Sequence, residues 1–389
     1  MTSLQAIVLL ACIFGLAEII AVKSKARLSS FFVIAILLLL AFWAGMPGDI
    51  WVTSNMLAMG ATVAGLLLTS LGTLIDFDEF VQQWKTVVIG FGAVVLIVLF
   101  ITVIGPFVID RTMAVAASPV VAGGAVAQII VGQILKQKGL LDAEIFCLLV
   151  LVLQCLIGVP ISSILLRNEA RRYIKSGDYE TASDSETPSQ DKTPKKTLIP
   201  QLPEAYRKPF ILIAKTGLVT LLAYYLSGLT GGKANALLLC LILGVVFKAL
   251  GFLESDVLGK ANSFGITMFF VYALVFANIA KVTPGMLAAM IGPLMVVFLL
   301  GLTGIIAAGV IFSKLLKVNS RMGIVIGLTA LYGFPATYYL AMEVAEAVGE
   351  NQAQVTALRN YMLPQMLTAG FATVTIASVV IVGFVVNMI

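Results

Sequence analysis

Residues 112–137 read TMAVAASPVVAGGAVAQIIVGQILKQ, an apolar run with Ser118-Pro119 and Gly123-Gly124 in its middle. Residues 321–348 read RMGIVIGLTALYGFPATYYLAMEVAEAV, with Tyr332-Gly333 and Pro335 in its middle. Proline removes a backbone donor and glycine relaxes the backbone, so each run is expected to break there into two short helical arms. The runs are in register: Arg111 precedes Gly123 by 12 residues and Gly139 follows it by 16. Arg321, Gly333 and Gly349 repeat both spacings at a constant offset of 210, which favours an internal duplication.

The rest of the chain is the right material to hold such breaks in a bilayer. Of 389 residues, 60 % are hydrophobic and 12 % charged, with mean hydropathy +1.04. A soluble domain carries roughly a quarter charged residues. A hydrocarbon core about 30 Å thick needs roughly 20 apolar residues per crossing helix. Twelve apolar segments can be marked: 4–22, 30–46, 56–75, 86–109, 112–137, 142–166, 209–229, 235–253, 260–280, 286–313, 321–348 and 357–387. All are helical by length, because spanning strands are shorter and alternate in polarity. The expected class is an all-α membrane protein.

Between the sixth and seventh segments, 167–208 gathers Asp178, Glu180, Asp184, Glu186 and Asp191 among Ser, Thr and Pro, then Lys192, Lys195 and Lys196. Such a composition cannot bury a core and is expected to be a disordered cytoplasmic linker. It divides the chain into 1–166 and 209–389, which share one rhythm: four helices, one interrupted segment, one last helix. If each interrupted segment enters and leaves on one side as a re-entrant hairpin, the inside takes 20 of the 25 Lys and Arg residues. If both cross fully, the split falls to 16 against 9 and KSKAR at 23–27 lands outside. The positive-inside bias selects the hairpins. The expectation is ten transmembrane helices in two inverted five-helix repeats, each with a re-entrant helical hairpin, in a cell membrane with both termini outside. The first run has no basic residue before it and no small-residue cleavage site after it, so it is not expected to be a secretory signal.

Composition also removes chemistry. There is no histidine, hence no imidazole proton relay, no His-paired nucleophile and no His-metal site. Cys12, Cys147, Cys155 and Cys240 fall inside apolar runs without metal-type spacing and read as buried hydrophobes. No GxxxxGK[ST] loop is present to drive work by ATP. Basic residues lie in loops beside membrane segments, which speaks against a nucleic-acid partner. No catalytic constellation is visible, and enzymatic activity is not expected.

Non-helical backbone at membrane depth survives only where it is buried in protein or lines a wet cavity. Two hairpins from opposite faces would bring their tips together near the midplane. The second arm of each starts at the break, so its free N–H groups and positive dipole end suit an anionic group. Unwound carbonyls and hydroxyls suit a small hard cation. The expected lining is Ser118, Gly123, Gly124 and Gln128 on the first hairpin, and Thr329, Tyr332, Gly333, Thr337 and Tyr338 on the second. Gly123 and Gly124 also fit a plain role in close helix packing.

Other polar residues in the spans have ordinary explanations. Gln154, Gln365, Thr368 and Thr373 read as interhelical hydrogen bonding. Asn262 and Ser263, beside Thr267 and Asn278, read equally as caps or as binding groups. Glu18 reads as a snorkelling partner of Lys23 and Lys25. Glu343 and Glu346 share one face of the outgoing arm, with Glu350 and Arg359 nearby, and read as a solvated cytoplasmic ending, with a gate as the sharper alternative.

This pattern resembles the bacterial sodium/glutamate symporter family, whose plan the 2-hydroxycarboxylate transporters share. The residues that carry it are SPVVAGGAVAQ at 118–128, GLTALYGFPATYYLA at 327–341 and LGKANSFGITMFF at 258–270. The family's hairpins carry a Gly-Gly-x-Gly type motif. Here the first keeps Gly123-Gly124 but has Val126 at the last position, and the second keeps Gly333 followed by Phe334 and Pro335. The resemblance implies sodium coupling, with no other cofactor, and a homodimer in which a hairpin-bearing bundle moves against static scaffold helices. The expected function is secondary active transport of a small anionic solute, such as glutamate or another amino acid or carboxylate. An uncoupled channel or uniporter, or an H+-coupled exchanger or exporter of the same fold, is the alternative.

Overall fold

The computed structural model describes residues 1–25, 27–75, 83–176, 198–200, 202–230, 236–377, 381, 382, 385 and 388. Every regular element among the described residues is helical. In chain order they are α1 (Ser3–Lys23), α2 (Ser30–Trp43), α3 (Ile50–Thr53), α4 (Met56–Gly72), α5 (Trp84–Ile104), α6 (Arg111–Gln137), α7 (Leu141–Lys175) and α8 (Pro209–Leu229). There follow α9 (Ala236–Ala249), α10 (Val257–Lys260), α11 (Phe264–Phe276), α12 (Pro284–Leu316), α13 (Ser320–Leu328), α14 (Ala336–Val348) and α15 (Gln352–Phe371), which continues as a π-helical segment, Ala372–Ala377.

Among the described residues, six stretches are long and apolar enough to cross a membrane: Ser3–Lys23, Trp84–Phe107, Leu141–Lys175, Pro209–Leu229, Phe264–Lys281 and Pro284–Leu316. Shorter apolar helices occupy Ser30–Trp43, Met56–Gly72, Ala236–Ala249 and Ser320–Leu331. The protein is a multi-pass membrane protein by helix length and hydropathy. Several segments end earlier than the apolar runs suggest. The run at 30–46 keeps a helix only to Trp43, because Gly45 adopts φ +102 and stops it. Conversely, α7 continues through 167–175, a stretch expected to open the linker, while 177–197 and 201 lie outside the described residues. The cause is a contact with α15: Glu169 is fully buried and held by Arg172 at 2.6 Å and by the Tyr361 hydroxyl at 3.0 Å. Tyr173 stacks on Tyr361 with ring centroids 4.3 Å apart. Of the cysteines, Cys147 and Cys240 are buried, Cys155 is half-buried and Cys12 is exposed, against the expectation of four buried thiols.

The chain forms two compact units, each drawing on both halves of the sequence. The first comprises Met1–Leu9, Asp49–Gln82 and Glu186–Ala277. In it α4 packs against α8, α9 and α11. Small residues set the spacing: a Cβ on Gly72 would lie 2.3 Å from Leu241 O, and one on Gly244 would lie 2.2 Å from Thr69 O. Backbones can touch this way only without side chains between them. Residues 248–258 close the end of α4. Lys248 Nζ donates to Ile75 O at 3.3 Å, and Leu258 N–H donates to Ser70 Oγ at 3.1 Å. Lys215 and Glu254 form a buried ion pair at 2.7 Å. Asn262 and Thr267 belong to this unit. Ser263 stands at the α11 N-cap position, but its hydroxyl donates to Ala261 O and makes no cap.

The second unit comprises Leu10–Gly48, Gln83–Ser185 and Asn278–Ile389. Its frame is the pair α5 and α12, brought close where Gly304 would meet Leu96 O at 2.8 Å if it carried a Cβ. α6 packs on α5 and α7, and α13 packs on α5, α7 and α12. α14 packs on α7 and α15, and the π-helical segment packs on α5 and α6. Both interrupted segments lie in this unit.

Candidate functional site

The first interrupted segment is α6. Asp110 caps it, accepting from Met113 N–H at 3.0 Å. Pro119 deprives the Val115 carbonyl of its usual donor, and Ser118 Oγ donates to that carbonyl at 2.9 Å instead. Thr102 Oγ1 donates to Ser118 Oγ at 3.1 Å. The proline is thus repaired within the helix, and the chain leaves helical geometry only at Gly124, with φ 60 and ψ −139. That region is reserved for glycine.

The second interrupted segment is α13 with α14. Asn319 caps α13 by accepting from Arg321 N–H at 2.8 Å. The helix tightens to a 3-10 turn over Thr329–Leu331, then leaves helical geometry at Tyr332 (φ −141) and Gly333 (φ +56). The Phe334–Pro335 bond is cis, and α14 starts at Ala336. Phe334 stacks on Phe371 of α15, with ring centroids 5.8 Å apart. Thr337 N–H donates to Gly333 O at 3.1 Å, while Tyr338 and Tyr339 N–H donate to Pro335 O at 3.1 and 3.3 Å. The bond from Tyr339 is the first ordinary turn of α14; of the donors that a helix start leaves open, Pro335 has none to give and those of Thr337 and Tyr338 are taken by the break itself, fewer free N–H groups than the sequence leads one to expect.

The two breaks come together on the π-helical segment. A Cβ on Gly124 would lie 3.7 Å from Val374 Cγ1, and one on Gly333 would lie 3.7 Å from the same methyl. One on Gly370, a turn earlier, would lie 2.9 Å from Thr337 Cγ2 and 3.6 Å from the Gly333 carbonyl carbon. α7 supplies the adjoining wall through positions four apart. Gln154 Nε2 is 3.9 Å from the Cβ position of Gly124. A Cβ on Gly158 would meet Leu331 Cβ at 2.8 Å and Tyr332 Cδ1 at 2.9 Å. Ser162 Oγ accepts from Tyr332 Oη at 2.7 Å.

The lining is neutral and rich in oxygen. Thr329 Oγ1 donates to Ile326 O at 2.7 Å and lies 3.3 Å from Thr373 Oγ1. Thr373 Oγ1 donates to Ala369 O at 2.8 Å, where the turn widens from four residues to five. Two other oxygens of the lining have no hydrogen-bond partner among the described residues: Gln154 Oε1 and Thr337 Oγ1. These side chains are 3 % and 0 % exposed. A buried polar group without a partner costs about 1–3 kcal/mol, so such orphans ask for an explanation.

Among the expected site residues, the structure gathers Gly124, Thr329, Tyr332, Gly333 and Thr337 around Val374. Gly123 is a buried neighbour of the break. Ser118 is fully buried but spent on helix repair, and Gln128 lies along its own arm, with Nε2 3.3 Å from the Cβ position of Gly132. Tyr338 is half-buried, edge-on to Tyr339 at 5.7 Å. Gln154, Gly158, Ser162, Gly370, Thr373 and Val374 join the cluster without having been singled out as lining. The four-residue spacing of Gln154, Gly158 and Ser162 was the available signal, because it puts three small or polar residues on one face of an apolar helix. Among the described residues, no three His, Cys, Asp or Glu side chains converge as a metal site. No family model and no curated protein matches the chain.

Proposed function

We propose that the protein is a secondary active transporter, a sodium-coupled symporter of a small anionic solute such as glutamate or another amino acid or carboxylate. The supporting observation is the meeting of two helix breaks, Gly124 and Gly333, on one methyl of Val374, with two side chains beside them, Gln154 and Thr337, that carry partnerless buried oxygens. Broken helices in pairs are how transporters build a site inside the bilayer. An amide oxygen and a hydroxyl are ligands for a hard cation, and no charged side chain is needed to hold one. A bound Na+ then gives a neutral lining the positive charge that draws an anion. The remaining N-terminal dipole of α14 acts in the same direction.

In this proposal the two interrupted segments are re-entrant hairpins of inverted repeats related to the sodium/glutamate symporter plan. Both termini lie outside the cell membrane, and 167–208 is cytoplasmic. The hairpin-bearing unit moves to expose the site to each side in turn, and a second copy of the chain completes a homodimer.

The test is uptake into proteoliposomes. Amino and carboxylic acids are offered with and without an inward sodium gradient. Accumulation above the equilibrium level that collapses with the gradient supports symport. Equilibration alone makes the protein a uniporter or channel, and accumulation that follows a pH gradient but not sodium makes it H+-coupled.

A further inference from the structure

Where α1 and α7 end, positive charge gathers without a counterion. The two helices finish at Lys23 and Lys175, and the turn from α1 to α2 carries Lys25 and Arg27. Arg167 of α7 reaches into that turn, where its guanidinium donates to Lys25 O. Arg171 stands four residues further along the same face of α7. Arg171 and Arg27 are the cations that face Arg167. Three arginines thus converge from two distant stretches of the chain.

Arg167 is only 6 % exposed. Its bond to a neutral carbonyl satisfies a donor but leaves the charge unanswered. A buried cation is ordinarily matched by an anion, because leaving water is costly for it. Among the described residues, Lys23, Lys25, Arg27, Arg167 and Arg171 form no ion pair. Glu18, expected to partner Lys23 and Lys25, pairs with neither. Glu169 is committed to Arg172 and Tyr361, and Glu343 accepts from Ser30 N–H at 2.9 Å and from Ser30 Oγ.

The setting selects the missing anion. α7 has 35 residues, roughly 50 Å of helix, and outruns a hydrocarbon core of about 30 Å. Its charged last turns, with Arg167, Arg171 and Lys175, therefore stand at headgroup level. Val22, Leu28 and Ile164, beside these charges in sequence, are exposed, as side chains that meet acyl chains are. Guanidinium forks match phosphate oxygens in pairs, a fit that lysine lacks. A soluble anion would answer the charges but leave the aliphatic side chains bare.

We infer that Arg27, Arg167 and Arg171 form a binding site for the phosphate of an anionic phospholipid, seated against the turn between α1 and α2. Basic pockets at the ends of membrane helices hold such headgroups. Bound there, the lipid ties the turn to α7, the helix that brings Gln154, Gly158 and Ser162 to the breaks. The inference rests on the chain being a membrane protein and is independent of what, if anything, it transports.

Purified full-length protein tests it in nanodiscs of phosphatidylcholine and in nanodiscs of equal parts phosphatidylcholine and phosphatidylglycerol. The readouts are thermal unfolding and native mass spectrometry of the lipid that stays bound after transfer to detergent. Arg27→Gln with Arg171→Gln removes two exposed charges and no hydrogen bond among the described residues. Lys136→Gln with Lys138→Gln removes as much exposed charge by the start of α7. In phosphatidylcholine all three proteins should melt together. With phosphatidylglycerol, wild type and the lysine variant should melt several degrees higher and retain the lipid; the arginine variant should lose most of the shift and the retained lipid. Inorganic phosphate added to phosphatidylcholine nanodiscs should not reproduce the shift. Equal shifts and equal retained lipid in wild type and the arginine variant, or no response in wild type, overturn the site. A shift produced by phosphate alone overturns the lipid as its occupant. None of these outcomes bears on the sodium uptake test.

Discussion

Gly124 and Gly333, 209 residues apart in sequence, stand against the same Val374 methyl, each with its Cβ position 3.7 Å from Cγ1. They are not equivalent. Gly124 has room for a methyl group, its nearest other neighbour being Gln154 Nε2 at 3.9 Å, whereas Gly333 would press on Val374 Cγ2 at 3.0 Å.

That difference separates two substitutions. Gly124→Ala meets no clash but must hold a backbone conformation that costs a side chain about 1–3 kcal/mol. Gly333→Ala meets both a left-handed φ and Val374. Val374→Ala should therefore recover part of the thermal stability lost in Gly333→Ala and none of that lost in Gly124→Ala. Melting curves of the four variants check this.

The partnerless Gln154 oxygen makes an opposite forecast for stability and function. Gln154→Leu removes a buried orphan worth about 1–3 kcal/mol and should raise the melting temperature of the protein without solute. The same substitution should abolish the stabilisation that sodium gives. Thermal unfolding with sodium and with choline in its place reads both effects at once.

Two threonines of the cluster divide in the same way. Thr373→Val loses the bond to Ala369 O at 2.8 Å and puts a methyl in place of the hydroxyl that stands 3.3 Å from Thr329 Oγ1, and should destabilise by about 1–2 kcal/mol. Thr337→Val loses no hydrogen bond among the described residues; it should leave stability unchanged or improved while lowering uptake. Chemical unfolding beside initial uptake rates distinguishes them.

In the first unit, the Lys215–Glu254 pair is buried on both sides, 9 % and 3 % exposed. Glu254→Ala strands the lysine, and breaking one side of a buried pair costs about 3–5 kcal/mol. Lys215→Met combined with Glu254→Leu should cost much less, because no charge is left unpaired. A double-mutant cycle in detergent-solubilised protein measures the difference.

How much of this was legible in the sequence depends on whether the signal was local. Both breaks were, since glycine and proline act on their own backbone, and the long apolar helices were, since length and hydropathy suffice. The place of the first break was blurred between Ser118 and Gly124 because a proline alone looks like an interruption; the Ser118 hydroxyl that heals it shows only in three dimensions. Gln154 and Gln365 look alike as single amides in apolar helices. One leaves an oxygen bare beside Gly124, while the other donates to its own Tyr361 carbonyl at 2.8 Å. Glu343 and Glu346 likewise share a charge and a helix, and only the Ser30 N–H of α2, which donates to Glu343 Oε1 at 2.9 Å, tells the half-buried one from the exposed one. The reach of α7 to Lys175 follows from the Tyr361 partner of Glu169, 192 residues away.

The most direct test of the central claim is equilibrium binding of radioactive sodium to the purified protein, wild type against Gln154→Leu. One saturable class of sites in wild type, weakened about tenfold or more in the variant, is the expected result; that loss corresponds to about 1.4 kcal/mol. Saturable binding of equal affinity in both proteins, or none in either, would contradict a cation site at the meeting of the two breaks.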